Sequence, residues 1–170
     1  GPNGLTPFKN DPMIDFTIKA NRAAFAEAIQ TVRGKMGRTY PLFIGGRDVE
    51  TDDVLESTNP ADTSEVVGRI CQAGVGEIDD AMAAAKKALV TWRDTPPRER
   101  AEYLLKAADV ARRRLFELSA WQVLEVGKQW DQSYHDVTEA IDFLEYYARE
   151  MIRLGDPKRM GKAPGEHNHL

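Results

Sequence analysis

Apolar residues recur at helical spacing along most of this chain. Phe25, Ala28, Ile29 and Val32 predict an amphipathic helix within about residues 17–36, with Gly37 as its stop. The pattern then changes to short aromatic and β-branched runs. Tyr40-Pro41-Leu42-Phe43-Ile44, then Gly45-Gly46 and Arg47-Asp48-Val49, predict a hairpin whose paired glycines supply the positive φ angles of a two-residue turn. Val54 to Thr58, stopped by Asn59-Pro60, and Glu65 to Ala73 are two further strand candidates. Strands this few and short cannot enclose a core, so they are expected to lie against other elements. From Gly76 the helical period returns. Ile78, Met82, Ala85, Leu89 and Trp92 mark one face. Pro96-Pro97 restarts the chain, and Ala101, Leu104, Leu105, Ala108 and Ala111 follow as the next stripe. Leu115, Leu118, Val123 and Leu124 run to Gly127. A last helix over about residues 131–154 carries Val137, Ile141, Leu144, Ala148 and Met151, with Gly155 as its stop. Asp156-Pro157-Lys158-Arg159 reads as a polar exit loop. The Pro-broken start, residues 1–16, reads as an arm or linker.

Composition narrows the class. The chain has 170 residues, Lys+Arg 23 against Asp+Glu 27, and a formal net charge of −4. That mildly acidic balance argues against a dedicated nucleic-acid or membrane-surface binder. No apolar run approaches the ~20 residues of a bilayer span. The expectation is a soluble, cytoplasmic protein, and a single cysteine, Cys71, excludes an intrachain disulfide.

Candidate chemistry is sparse. Cys71 falls inside a predicted strand with no helix N-terminus to lower its pKa, so it reads as a small buried hydrophobe rather than a nucleophile. His135, with Asp131, Glu139 and Asp142, forms a carboxylate–histidine stripe on one helix. One helix cannot encircle an ion, and a solvated polar face is the better reading. His167 and His169 are too short a tract to close a zinc site, so no metal is expected. No phosphate-loop glycine motif occurs, and Gly74-Val75-Gly76 reads as a strand-to-helix turn. Arg112-Arg113-Arg114 reads as a solvated face. Trp121, Trp130, Phe143, Tyr146 and Tyr147 read as core or interface. From the residues alone, the chain is a helix-rich domain with a small β element and no complete catalytic constellation.

The order of the pieces resembles the N-terminal part of the aldehyde dehydrogenase superfamily. Leu42-Phe43-Ile44-Gly45-Gly46 is similar to that family's opening hairpin, Ser57-Thr58-Asn59-Pro60-Ala61 to its NPA turn, and Glu65-Val66-Val67-Gly68 to the strand after it. The helix Ile78 to Trp92, Pro97-Arg98-Glu99-Arg100-Ala101 and Glu125-Val126-Gly127-Lys128 resemble its later landmarks. Residues 137–149, from Val137 through Glu139, Phe143 and Tyr146-Tyr147 to Arg149, resemble the 1-pyrroline-5-carboxylate (glutamate semialdehyde) dehydrogenase branch, as does the helical arm from Asn21 to Met36.

The resemblance implies an α/β fold of the aldehyde dehydrogenase type. Residues 1–16 would be an arm or linker, 17–39 an N-terminal helix and 40–74 the strands. Residues 75–170 would be the helical part of an NAD-binding domain, cut short. It implies oxidation of L-glutamate γ-semialdehyde to glutamate in proline catabolism, with NAD bound mainly by residues beyond this chain. FAD enters only if the parent is fused to a proline dehydrogenase. The implied partners are the remainder of the dehydrogenase and further copies of it. The family's catalytic cysteine, base and oxyanion asparagine would all lie downstream, Cys71 matches none of them, and the chain alone is expected to be inactive. One residue carries a role by resemblance: Glu139, matching the glutamate that pairs with the substrate's α-ammonium. The residue pattern by itself makes Glu139 a surface side chain. The competing expectation is a non-catalytic helical interaction module.

Overall fold

The computed structural model describes residues 4–155 and 157–169; Asp156, assigned above to the exit loop, lies outside them. Five helices and five strands follow the order α1 (Lys19–Arg33), β1 (Thr39–Tyr40), β2 (Leu42–Ile44), β3 (Arg47–Val49), β4 (Val54–Asn59), β5 (Asp62–Cys71), α2 (Val75–Trp92), α3 (Pro97–Arg113), α4 (Leu115–Val126) and α5 (Trp130–Gly155). The helices form where the 3.6-residue period places them, with Pro97 opening α3.

Two helix pairs bury the core. α1 packs on α4 through Phe25, Ile29, Val32, Ala120 and Leu124, ringed by Phe16, Phe116, Trp121 and Trp130. Phe16, Phe25 and Trp130 meet at ring-centre distances of 4.9–5.8 Å, so two of the expected core aromatics, Trp121 and Trp130, do lie there. α3 packs on α5 through alanines, with Ala101 against Ala148 and Ile152, and Ala108 against Val137 and Ile141. Small residues on α3 bring the two axes close. The buried hydroxyls of Ser133 and Thr138 donate back to the carbonyls of Gln129 and His135, so no polar atom of theirs is stranded.

The strands divide differently from the single run read over residues 40–44. Pro41 offers no N–H to a ladder, and the run breaks there. Tyr40 ends β1, which pairs parallel with β5 at Thr39↔Arg69 and Tyr40↔Ile70, while β2 and β3 form the separate hairpin. Gly45 and Gly46 sit at φ 60° and 83°, the left-handed turn expected of them. β5 is the centre of the three-stranded sheet β1-β5-β4 and begins at Asp62, earlier than the pattern predicts. The turn into it is built by Asn59, buried, whose Oδ1 accepts from the Ala61 N–H at 2.9 Å and whose Nδ2 donates to Glu65 at 2.7 Å. Gly127 closes α4 in the left-handed region (φ 66°), where an added Cβ would come within 3.1 Å of Pro60.

α2 departs from expectation in another way. Its apolar face exists but nothing covers it: Ile78, Met82 and Leu89 are each 54% exposed, and none of the helix's residues is buried.

Residues 5–16 carry no helix or strand, yet they do not hang free as a linker would. Leu5 joins the Ala101–Ala148–Ile152 cluster and Phe16 the Phe25 cluster.

Candidate functional site

α5 is a two-faced helix of 26 residues. Its inward positions are Tyr134, Val137, Thr138, Ile141, Ala148 and Ile152. Its outward face carries Glu139 and, one and two turns on, Phe143 and the pair Tyr146-Tyr147. These three aromatic residues are 49%, 45% and 55% exposed, so they belong to a surface rather than the core. Phe143 stacks on Tyr147 with ring centres 5.7 Å apart and planes at 9°, and Tyr147 meets Tyr146 edge-on at 5.6 Å.

The carboxylates of α5 separate sharply by what holds them. Asp136 pairs with Lys128. Asp142 accepts from the Asn10 amide at 2.7 Å and the Asp11 backbone N–H at 2.8 Å. Glu145 takes Arg112 at 3.2 Å and also Arg149. Glu150 binds Arg153 at 2.6 Å, which holds the Glu150 carboxyl below its usual range. Asp131 turns back on the Gln132 N–H. Glu139 alone among them has no hydrogen-bond or ion-pair partner among the described residues. An exposed, unpartnered carboxylate beside stacked rings suits a cationic ligand, since the anion and the ring faces both attract positive charge.

The other candidates are dispersed. Cys71 is 3% exposed at the end of β5, its thiol 3.7 Å from the Thr51 carbonyl oxygen. The His135 stripe does not converge on one point: Asp142 is tied to Asn10 and Asp11, His135 Nδ1 lies 3.2 Å from Met13 Sδ, and Asp131 turns to the Gln132 N–H. No group of His, Cys, Asp and Glu among the described residues could hold a metal. His167 and His169 are exposed. Arg112 is more than a solvated cation: its guanidinium binds Asp11, Asp109 and Glu145, and these bonds, those from Asp11 first, keep it firmly protonated. The sequence pattern missed the Asn10 and Asp11 contacts, because the prolines around them read as a linker. Phe8 and Met13, apolar in a polar stretch, were the available signal.

A cavity of about 440 Å³ lies apart from α5, between the C-terminal end of α1, the sheet and α4, lined by Arg38, Tyr40, Trp121 and Glu125 among others. Its wall includes Glu117, which accepts from Arg114 at 2.9 Å and Lys35 at 2.7 Å and is lowered to about 2 by those bonds. These contacts tie α1 to α4.

NAD, implied by the resemblance, finds no fitting phosphate cradle at the turn Gly74-Val75-Gly76. The Gly74 N–H there already donates to Glu77 Oε2 at 2.8 Å, so the N-terminus of α2 is closed by its own carboxylate.

The sequence model of the aldehyde dehydrogenase family matches residues 47–169. The chain belongs to that family. A 1-pyrroline-5-carboxylate dehydrogenase of Halalkalibacterium halodurans is 48% identical over 164 residues, covering 96% of this chain and 32% of the relative. The NAD-bound crystal structure of 1-pyrroline-5-carboxylate dehydrogenase from Thermus superposes with a TM-score of 0.93 at 46% identity, over 98% of this chain and 32% of that one. Proline utilization A from Bdellovibrio bacteriovorus also reaches a TM-score of 0.93, at 36% identity, over 99% of this chain and 17% of its own length. The chain thus spans about a third of the curated family members it matches, and it has the aldehyde dehydrogenase fold over that stretch. Among the described residues, no helix is long and apolar enough to cross a membrane.

Proposed function

We propose that this chain is the N-terminal portion of an NAD-dependent dehydrogenase that oxidises L-glutamate γ-semialdehyde, the open form of 1-pyrroline-5-carboxylate, to glutamate. In this reading Glu139 binds the substrate's α-ammonium. The observation that carries it is the isolation of Glu139: every other carboxylate of α5 is engaged, and this one stands open beside Phe143. Glutamate semialdehyde carries an ammonium that most aldehydes lack, so a free carboxylate at this place selects by charge. The ring faces beside it also attract a cation.

Oxidation needs a nucleophile and a hydride acceptor, and the described residues supply neither. Cys71 is buried in the sheet and the α2 turn is self-capped. Those parts, including the residues that hold NAD, belong to the remaining two-thirds of the parent protein. That remainder also accounts for the bare face of α2, which it would cover. The parent is proposed to act in the cytoplasm as an oligomer.

In the complete protein, Glu139→Ala is expected to raise KM for glutamate semialdehyde about ten- to a hundredfold, the equivalent of one charge-assisted hydrogen bond of about 1.5–3 kcal/mol. KM for an uncharged aldehyde of similar length should stay within twofold. Equal effects on the two substrates, measured by NADH formation, sink the assignment.

A further inference from the structure

The irregular N-terminal stretch runs along α5 in the opposite direction, contact by contact. The Thr6 carbonyl accepts from Arg149 Nε at 3.0 Å, and the Phe8 ring meets Tyr146 edge-on at 5.5 Å. Asn10 and Asp11 hold Asp142, and Met13 Sδ reaches His135. As the arm advances from residue 6 to 13, its partners recede from 149 to 135. The lengths agree: seven extended steps span about 23 Å at ~3.3 Å each. Fourteen helical steps span about 21 Å at ~1.5 Å each. The arm is fixed at both ends and in the middle. Leu5 enters the Ala101–Ala148–Ile152 cluster, and the Asp11 carboxylate takes Arg112 Nε at 2.9 Å and Nη2 at 3.1 Å.

Helical geometry locates Glu139 relative to this arm. At about 100° per residue, positions 135, 142, 146 and 149 all fall to one side of Glu139, and 143 and 147 to the other. Glu139 therefore lies between the side of α5 that the arm follows and the side that carries the Phe143–Tyr147 stack. The ring series Phe8–Tyr146–Tyr147–Phe143 joins the two sides.

We propose that residues 5–13 are a strap that borders Glu139 and shapes its surroundings, with Phe8 as the positioning residue that holds the Tyr146–Tyr147–Phe143 rings in place. The strap thereby contributes to selection of an ammonium-bearing aldehyde without touching the reacting carbonyl. This rests on the Glu139 reading above.

The test uses the complete enzyme and four variants: Phe8→Ala, Phe8→Tyr, Glu139→Gln and the double variant Phe8→Ala/Glu139→Gln. Phe8→Ala should raise KM for glutamate semialdehyde at least fivefold with kcat within twofold and KM for an uncharged aldehyde unchanged. Phe8→Tyr, which keeps the ring, should restore KM. In the Glu139→Gln background, Phe8→Ala should add less than twofold. Phe8 is only partly buried, so these variants should fold, and matching Tm values verify it. The strap inference fails if Phe8→Ala leaves KM unchanged, shifts both aldehydes alike, or acts fully in the Glu139→Gln background. If Glu139→Gln itself treats the two aldehydes alike, the Glu139 reading fails and takes the strap's role in selection with it; if Glu139→Gln discriminates and Phe8→Ala does not, only the strap is overturned.

Discussion

Glu117 is a single side chain whose pairing makes this fold sensitive to acid. Arg114, at the junction of α3 and α4, and Lys35, beyond the end of α1, bind it and hold its carboxyl at about 2 against an ordinary 4.5. A carboxyl depressed on folding stabilises the native state above its unfolded pKa. That contribution disappears as pH falls through the folded value. Thermal melts of the complete protein between pH 5 and pH 2 should therefore show a decline that Glu117→Gln flattens. At neutral pH the same substitution should cost about 0–1 kcal/mol, as for a solvent-facing ion pair. A Glu117→Gln variant with the parent's acid slope would remove this account. Glu139 is its opposite at the same scale. It has no hydrogen-bond or ion-pair partner among the described residues, and in the proposed reading its replacement changes substrate KM and leaves Tm alone.

Among the elements, α5 separates a buried face from an exposed one, the latter carrying the proposed recognition residues. Ile141 is fully buried against Ala108 and Val137, whereas Phe143, two residues on, is 49% exposed. Ile141→Ala should destabilise by about 2–5 kcal/mol, the usual range for emptying a core aliphatic site. Phe143→Ala should stay within about 0.5 kcal/mol in stability, as a surface change does, while altering substrate KM. Chemical denaturation of both variants in the complete protein checks the contrast, and similar losses would contradict it. This division was half legible in the sequence. The 3.6-residue spacing of Val137, Ile141, Leu144 and Ala148 gave the buried stripe directly. What the spacing could not give was the partner of the other face. Asn10 and Asp11 bind Asp142 across 132 and 131 positions, and no local pattern encodes a contact so remote. The same limit hid the split at Pro41, because only the pairing of Tyr40 with Ile70 shows that β1 and β2 serve different sheets. Glu139 was singled out by family resemblance, while its own neighbourhood read as an ordinary solvated face. Its lack of a partner is a property of the fold, in which every other carboxylate of α5 is engaged.

For the whole molecule, the decisive feature is apolar surface without cover. Ile78, Met82, Leu89, Val90 and Trp92 on α2, and Phe43 on the hairpin at 73% exposure, face outward together with Leu55 of β4. Exposed apolar side chains in this number suit a surface covered by a partner, and in a chain spanning a third of its relatives the remainder of the dehydrogenase is the proposed cover. Residues 1–170 expressed alone should bind an apolar fluorescent dye several-fold more, per mole, than the complete protein does. Equal dye binding would instead favour a stretch that stands on its own, the interaction-module alternative.

Cys71 has a practical consequence for labelling chemistry. It is the one cysteine in the chain, is 3% exposed, and lies against a backbone carbonyl. A thiol reagent meets almost nothing to modify here. In the intact enzyme, fast alkylation would thus report on sulfur carried elsewhere, and this third of the polypeptide would supply a silent background for it.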